Sequence, residues 1–439
     1  MNMIFKLPAA AALLFAALML PVTAHAEVEI EEHVSPGGQT FWLVQEHSIP
    51  IVAVEIGFAN GAWSDPEDKQ GLTRFAFGLL DEGAGDLDAI AYERRSDDIS
   101  ARIGVGSGRD GAWASARFLV ETLDEGIDLF ALTMSSPRFD PEPVERVRRQ
   151  IFSGLEQAKT RPGSLASKAW FERAYPGHPY GRPTSGTEET IAGITVDDLR
   201  AAHKRVMVKA GTIVSVVGAI DPARAGQMVD KLLAGLPEGT APDIPQAVSS
   251  PPAGVHVIAQ DVPQSVALFG HAGIARTDPD WVPAVVMNYI LGGGGFTSRL
   301  TVEVRERRGL AYSVSSSFRD MEGAGLVIGS VQTENARIAE SLDVIRGEWQ
   351  RMATEGVTPQ ELDAAKTYMT GSFPLSFDSN GKIANYLGFV QREGLGIDYI
   401  NRRNGLIEAV TLEDIKRVAA RTLRPEDLSI VVVGQPEGL

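Results

Sequence analysis

The sequence has no cysteine in its 439 residues. That absence excludes a disulfide framework, thiolate zinc sites, iron–sulfur ligation and a cysteine nucleophile together. Positive charge is also in short supply: 41 Lys and Arg stand against 57 Asp and Glu, a formal charge of −16. Phosphate binding needs clustered Lys and Arg to release counterions, so so acidic a chain argues against nucleic acid as a partner. Beyond the first 26 residues no stretch approaches the ~18 uninterrupted apolar residues of a membrane span. Stable membrane insertion of the mature chain is therefore not expected.

Catalytic signatures are mostly missing as well. There is no Gly-x-Ser-x-Gly elbow. Gly104, Gly106 and Gly108 begin like a dinucleotide fingerprint, but Arg109 stands where the next glycine is needed, so a strand or turn is expected. The run Gly292 to Gly295 is followed by Phe296-Thr297-Ser298-Arg299, with no Lys to reach a phosphate. The seven His, at 25, 33, 47, 178, 203, 256 and 271, include no pair spaced three or four apart as a helical metal site requires. His178, in the Gly- and Pro-rich string GHPYG, reads as a loop residue serving turn geometry rather than a ligand.

At 44% apolar and 22% charged residues, the chain has the make-up of a soluble globular protein. Its first 26 residues read as a secretory signal, with Lys6, an apolar stretch from Leu7 to Val22, and Ala24-His25-Ala26 before Glu27. The expected location is periplasmic or secreted.

The segment from Pro237 to Gly254 carries five Pro among small and polar residues and has no strand or helix period, which marks a linker. It separates two similar halves. IAGITVDDLRAAHKRV from Ile191 matches IEAVTLEDIKRVAART from Ile407 at an offset of 216. Thr195 pairs with Thr411, Asp198 with Asp414, Arg205 with Arg421, and VSVVG ending at Gly218 with IVVVG ending at Gly434. Pro50 and Asp65-Pro66 match Pro263 and Asp278-Pro279 at an offset of 213, and Pro141 matches Pro359 at 218. A period so far above the roughly 20 to 50 residues of solenoids predicts a duplicated whole domain. The predicted organisation is a signal at 1–26, an N-terminal domain at 27–236, a linker at 237–254 and a C-terminal domain at 255–439.

Within each copy, Phe41 to Phe58 or Val255 to His271 alternates as strands expected to form a hairpin. A helix follows from about Lys69 or Asp280. Others open at Asp140-Pro141 and Thr358-Pro359, and at Thr195 and Thr411 with acidic first turns. A strand closes each copy. The predicted class is α+β, two homologous domains each with a mostly antiparallel sheet and helices packed on it.

The remaining chemistry lies in ILGGGGFTSRLTVEVRERRGLAYSVSSSF, which begins at Ile290. Gly292, Gly293, Gly294 and Gly295 leave the backbone bare, so its peptide groups can pair with an extended ligand. Arg305 and Tyr312 are separated by Gly309, which places an Arg on a last helical turn near a Tyr on the next strand. Such a pair donates hydrogen bonds to a carbonyl or developing oxyanion. Residue type alone favours the alternative, with Tyr312 half in the core and Arg305 one of five Arg in the region on a solvated face.

SRLTVEVRERRGLAYSVSSSF, GHPYGRPTSGTEETIAGITVDDLR and the duplicated halves together resemble the insulinase or pitrilysin family of zinc metallopeptidases. The resemblance covers essentially the whole mature chain and is nearest to smaller bacterial members related to mitochondrial processing peptidase. It implies two similar domains enclosing a peptide chamber. Active members carry His-x-x-Glu-His on the first helix, where two His bind zinc and the Glu activates water. Here Arg74, Phe77 and Gly78 occupy those positions. The family's distal Glu ligand falls between Gln150 and Glu156, where only Glu156 is acidic, and Asp81-Glu82 reads as a solvated helix end.

The resemblance therefore implies no cofactor in this chain, inactivity alone, and a homologous partner that carries His-x-x-Glu-His and its zinc. In such pairs the zinc-free subunit contributes an Arg/Tyr pair to substrate carbonyl binding and a Gly-rich loop that contacts peptide; Arg305, Tyr312 and Gly292 to Gly295 match both. The rival expectation is a structural or peptide-binding scaffold with no part in proteolysis.

Overall fold

A computed structural model describes residues 28–240, 243–245, 247–321 and 324–439. The expected signal at 1–26 lies outside the described residues. No helix among those described is long and apolar enough to cross a membrane.

The N-terminal domain holds β1 (Glu31–Val34), β2 (Thr40–Gln45), β3 (Ile51–Phe58), the short β4 (Gly83–Ala84) and β5 (Leu87–Asp88), β6 (Arg102–Ser107), β7 (Ala112–Leu119) and β8 (Ile213–Gly218). The C-terminal domain holds β9 (Gly254–Ala259), β10 (Gln264–Ala272), β11 (Ala311–Arg319), β12 (Leu326–Glu334) and β13 (Ser429–Gly434). The first sheet runs β1-β2-β8-β3-β7-β6 and the second β9-β13-β10-β12-β11. Apart from the extra edge strand β1, the two orders are the same, and in both the closing strand lies parallel to the first strand of the repeat. All other pairings in the two sheets are antiparallel.

That order corrects the expected hairpins. β2 and β3 do not pair, nor do β9 and β10, because β8 and β13 enter between them. All six residues of β13 are buried. A strand that apolar on both faces gains most from a central place.

Local signals explain the helix starts. Thr195 and Thr411 each form a capping box with the Asp three residues on, satisfying two first-turn N–H groups. Thr358 and Glu361 form another, with Pro359 at the first helical position. Asp140 departs from expectation: it sits at the cap position, but its carboxylate accepts from Arg138 Nε at 2.6 Å and makes no cap bond. The glycines of β6 do belong to a strand, and Gly106 is required there because a Cβ would fall 2.2 Å from the Trp113 ring.

Each sheet has one face on its own domain's helices. Phe41, Leu43, Val54, Ile56 and Phe118 fill the first core, and Phe269, Val327, Val331, Ile430 and Val432 the second. The opposite faces are covered by exchange. The helix Pro162–Ala174 of the first domain lies on β10 and β13, where Trp170 is fully buried and donates from Nε1 to Ser429 O at 3.1 Å. The helix Asn380–Arg392 of the second domain lies on β3 and β8, with Ala384, Leu387 and Val390 against Trp42, Val44, Ala53 and Val217. These helices start at positions 218 apart, so the exchange follows the duplication.

The segment between the domains has neither helix nor strand among its described residues from 237 to 253, and its last residue, Gly254, opens β9. It is nonetheless anchored: Ser250 N donates to Ala174 O at 3.1 Å, and Ala247 joins the cluster around Trp170 and Tyr180. His178 serves the same anchoring, with Nε2 3.1 Å from Pro245 O and Nδ1 accepting from Tyr180 N at 3.1 Å. Both ring nitrogens are engaged within the loop.

Candidate functional site

The glycine run starts where a helix loosens. After Trp281–Asn288 the chain widens into a π turn over Tyr289–Gly293, tightens at Gly295–Thr297, and widens again over Thr301–Glu306 before Gly309 ends the helix at φ +61°. Wide turns of this kind inside helices are frequent at functional sites. The four glycines are not equivalent. Gly292 is buried, and a Cβ on it would fall 2.3 Å from Ser316 Oγ. A Cβ on Gly293 would fall 2.8 Å from Asn288 Nδ2, and one on Gly294 2.6 Å from Tyr289 O. Gly295 has φ +58° and open space around it. The loop therefore exposes backbone at Gly293 and Gly295, while Gly292 serves packing.

Arg305 lies in the second wide turn, and its neighbours are tied down. Arg299 makes a two-pronged bond to Glu361, both arms 2.7 Å, and a further bond to Gly356 O at 3.0 Å. Arg307 and Arg308 both donate to the buried Glu303 at 2.5 Å. Although burial opposes it, Arg299 and the Thr358 cap hold the Glu361 carboxyl at about 2. Among the described residues the Arg305 guanidinium has no hydrogen bond or ion pair, although the residue's carbonyl accepts from Gly309 N at 3.0 Å. Its guanidinium carbon instead lies 4.8 Å from the ring centre of Tyr312 and 4.9 Å from that of Phe296.

Tyr312 is turned outward by a defect in the sheet. Ala311 pairs with Thr333 and Ser313 with Gln332, so Tyr312 is the extra residue of a bulge on the edge strand β11. Tyr312 is 79% exposed and Phe296 68%. The half-core alternative for Tyr312 does not hold. The structure brings Arg305, Tyr312 and the exposed end of the glycine loop to one surface, with the guanidinium edges and the phenol hydroxyl free to donate.

Phe296 was missed in the sequence. An exposed aromatic directly after four glycines was the available signal, since a bare loop offers it no core to join.

The zinc-motif positions are built for other contacts. The helix Leu72–Phe77 is short and ends at Gly78. Its first turn is held by Asp65, which accepts from Thr73 N at 3.1 Å and Thr73 Oγ1 at 2.5 Å. Arg74 Nη1 donates to Ser185 Oγ at 2.5 Å, and Phe77 is 2% exposed in the core. Ser185 also lines a cavity of about 790 Å³ with Arg109, Ser164, Phe171 and Thr184. Glu156, at the distal-ligand stretch, is exposed and paired with Lys159, and Glu82 pairs with Arg146. No three His, Asp or Glu side chains come together as a metal site among the described residues. A cation, a buried ring and a residue without a side chain do not fit zinc, and no chemistry is derived through a metal in this chain.

Comparison with known proteins finds similarity both to a protein named as a non-peptidase and to proteins named as zinc proteases, among them one of Bacillus subtilis at 23% identity over 93% of this chain and 99% of its own length. Residues 193–369, which include the glycine loop, Arg305 and Tyr312, match the family described as Peptidase M16 inactive domain. A Helicobacter pylori protein named "Non-peptidase homolog YmxG" is 25% identical over 390 residues, 89% of this chain and 90% of its own length. The mitochondrial-processing peptidase subunit beta of Blastocladiella emersonii is 22% identical, covering 92% of this chain and 88% of that one. Among solved structures, a peptidase M16 inactive domain from Pseudomonas fluorescens superimposes with a TM-score of 0.88 at 29% identity, over 93% of this chain and 98% of that one. The chain is thus similar to M16 peptidases and their homologues over most of its length, in line with the resemblance read from the sequence, and His-x-x-Glu-His does not occur in it.

Proposed function

We propose that this M16-like chain is the non-catalytic subunit of an exported two-subunit peptidase, working with a homologous partner that carries His-x-x-Glu-His and zinc. Bond cleavage belongs to the partner. This chain binds and orients: Arg305 and Tyr312 donate hydrogen bonds to a substrate carbonyl, and exposed backbone at Gly293 and Gly295 pairs with an extended peptide. Extended binding favours small peptides and unfolded segments over folded proteins.

One observation carries the reading. Of the arginines around the glycine loop, Arg299, Arg307 and Arg308 are consumed by internal carboxylates, while Arg305 is held by ring faces alone with all its N–H donors unspent. A scaffold has no use for that arrangement. A second reading, a binding or scaffold protein, draws on the name of the Helicobacter pylori relative, "Non-peptidase homolog".

The test is recovery of the tagged mature chain from its native envelope extract, followed by peptidase assay of whatever complex it forms. A near-equimolar partner bearing His-x-x-Glu-His is expected, and Arg305→Ala and Tyr312→Phe should each lower kcat/KM of the complex by about 100-fold. Unchanged turnover in both variants overturns the assigned role. Recovery without a zinc-motif partner moves the function to the scaffold reading.

A further inference from the structure

The position of Phe296 goes one step beyond the Arg/Tyr pair. The residue is 68% exposed on a loop of glycines, next to Gly295 at φ +58°, where no core packing holds it. Its recorded ring contact is the Arg305 guanidinium, 4.9 Å away, with Tyr312 at 4.8 Å from the same carbon. Phe296 belongs to none of the hydrophobic clusters of the described residues. What it has is a cation–π contact to a guanidinium that has no other polar partner among the described residues.

The geometry points to Phe296 as a positioning residue that, with Tyr312, orders the Arg305 guanidinium before substrate arrives. Aromatic faces attract a guanidinium without using its N–H groups, so they fix its direction and leave its donors for the ligand. An unpaired Arg on a surface otherwise samples many rotamers and loses that freedom on binding. The glycine run thus has a second purpose besides exposing backbone: Gly295 at positive φ lets the chain turn so that the next side chain reaches across to Arg305.

This inference rests on the proposed role of Arg305, and the experiment separates the two. Phe296→Leu, Phe296→Tyr, Arg305→Ala and the double variant Phe296→Leu/Arg305→Ala are assayed in the complex with the zinc-bearing partner. The Arg305 Nε–Hε resonance is followed by NMR in the free mature chain, assigned by its loss in Arg305→Ala. Phe296→Leu keeps an apolar side chain and removes the π face. It should lower kcat/KM by roughly 3- to 30-fold, in the same kinetic parameter that Arg305→Ala changes, and shift the Arg305 resonance toward its random-coil position. Phe296→Tyr should restore both, and the double variant should be no worse than Arg305→Ala alone.

If Arg305→Ala costs activity while Phe296→Leu does not, the positioning role is overturned and the Arg305 role stands. If Arg305→Ala costs nothing, the proposed function fails, and the resonance alone judges Phe296: an unshifted signal in Phe296→Leu overturns the positioning role as well.

Discussion

Arg205 and Asp65 form an ion pair, Nη2 to Oδ1 at 2.9 Å, whose counterpart in the second domain is Arg421 with Asp278 at 2.5 Å. The two pairs occupy matched positions of the duplication, yet their surroundings differ. The Asp65 side chain is 3% exposed and that of Asp278 16%. Burial pushes the Asp65 carboxyl up despite its bonds to Thr73 and Arg205, whereas Arg421 pulls Asp278 down.

That difference predicts unequal costs for equivalent substitutions. Arg205→Ala strands a buried carboxylate that also caps the helix Leu72–Phe77, and should destabilise by about 3 kcal/mol. Arg421→Ala leaves Asp280 still paired with Arg417 and Asp278 more exposed than Asp65, and should cost less, about 1 kcal/mol. Urea unfolding of the two variants checks the order; a larger loss for Arg421→Ala would contradict it.

Glu55 is expected to make the contact between the domains depend on pH. It lies on β3 under the helix Asn380–Arg392 and is 8% exposed. Burial pushes its carboxyl up to about 7, against the lowering effect of the Asn385 hydrogen bond and the more distant Arg392. Lys382, Tyr386, Arg102 and Arg117 line the adjoining space. The folded state holds this proton more tightly than the unfolded chain does. Stability from this group is therefore complete below about 4.5 and is lost as pH rises through about 7, by at most about 3 kcal/mol. Denaturant unfolding of the wild type and Glu55→Gln between these values should show a difference that changes with pH; parallel curves would remove Glu55 from the contact.

The glycines of the loop should separate by function when replaced. Gly292→Ala drives a methyl into Ser316 and Leu300 and should lower the melting temperature clearly, at a cost of about 2 kcal/mol. Gly295→Ala meets no atom and pays only for φ +58°, about 1 kcal/mol. Thermal unfolding decides between them. If the two shifts are equal, the packing role given to Gly292 is wrong.

Much of the fold was legible because its signals are local. Thr195, Asp198, Thr411 and Asp414 cap their helices through residues three apart, and Pro359 marks its helix start. The hairpins were misread for the complementary reason. Phe41 to Phe58 alternates as a hairpin would, but which strand lies beside β2 is settled by β8, which comes more than 150 residues later. At the site, the spacing of Arg305, Gly309 and Tyr312 gave the pair and the four glycines before Phe296 marked that residue, while the bulge at Tyr312 and the approach of the Phe296 ring to Arg305 were set by segments packed together in space.

By itself the sequence determined the duplication, the helix starts and the identities Arg74, Phe77 and Gly78 at the zinc-motif positions, because a side chain's chemistry and its hydrogen bonds to near neighbours are set by the residues present. Only the tertiary structure decided that the closing strands run through the middle of each sheet, that each domain lends a helix to the other, that Glu55 is buried beneath one of them, and that the Arg305 guanidinium is left without a polar partner among the described residues beside two rings. Those outcomes depend on burial and pairing between segments far apart in the chain, where the free energy belongs to the whole packed assembly and to no single stretch of it.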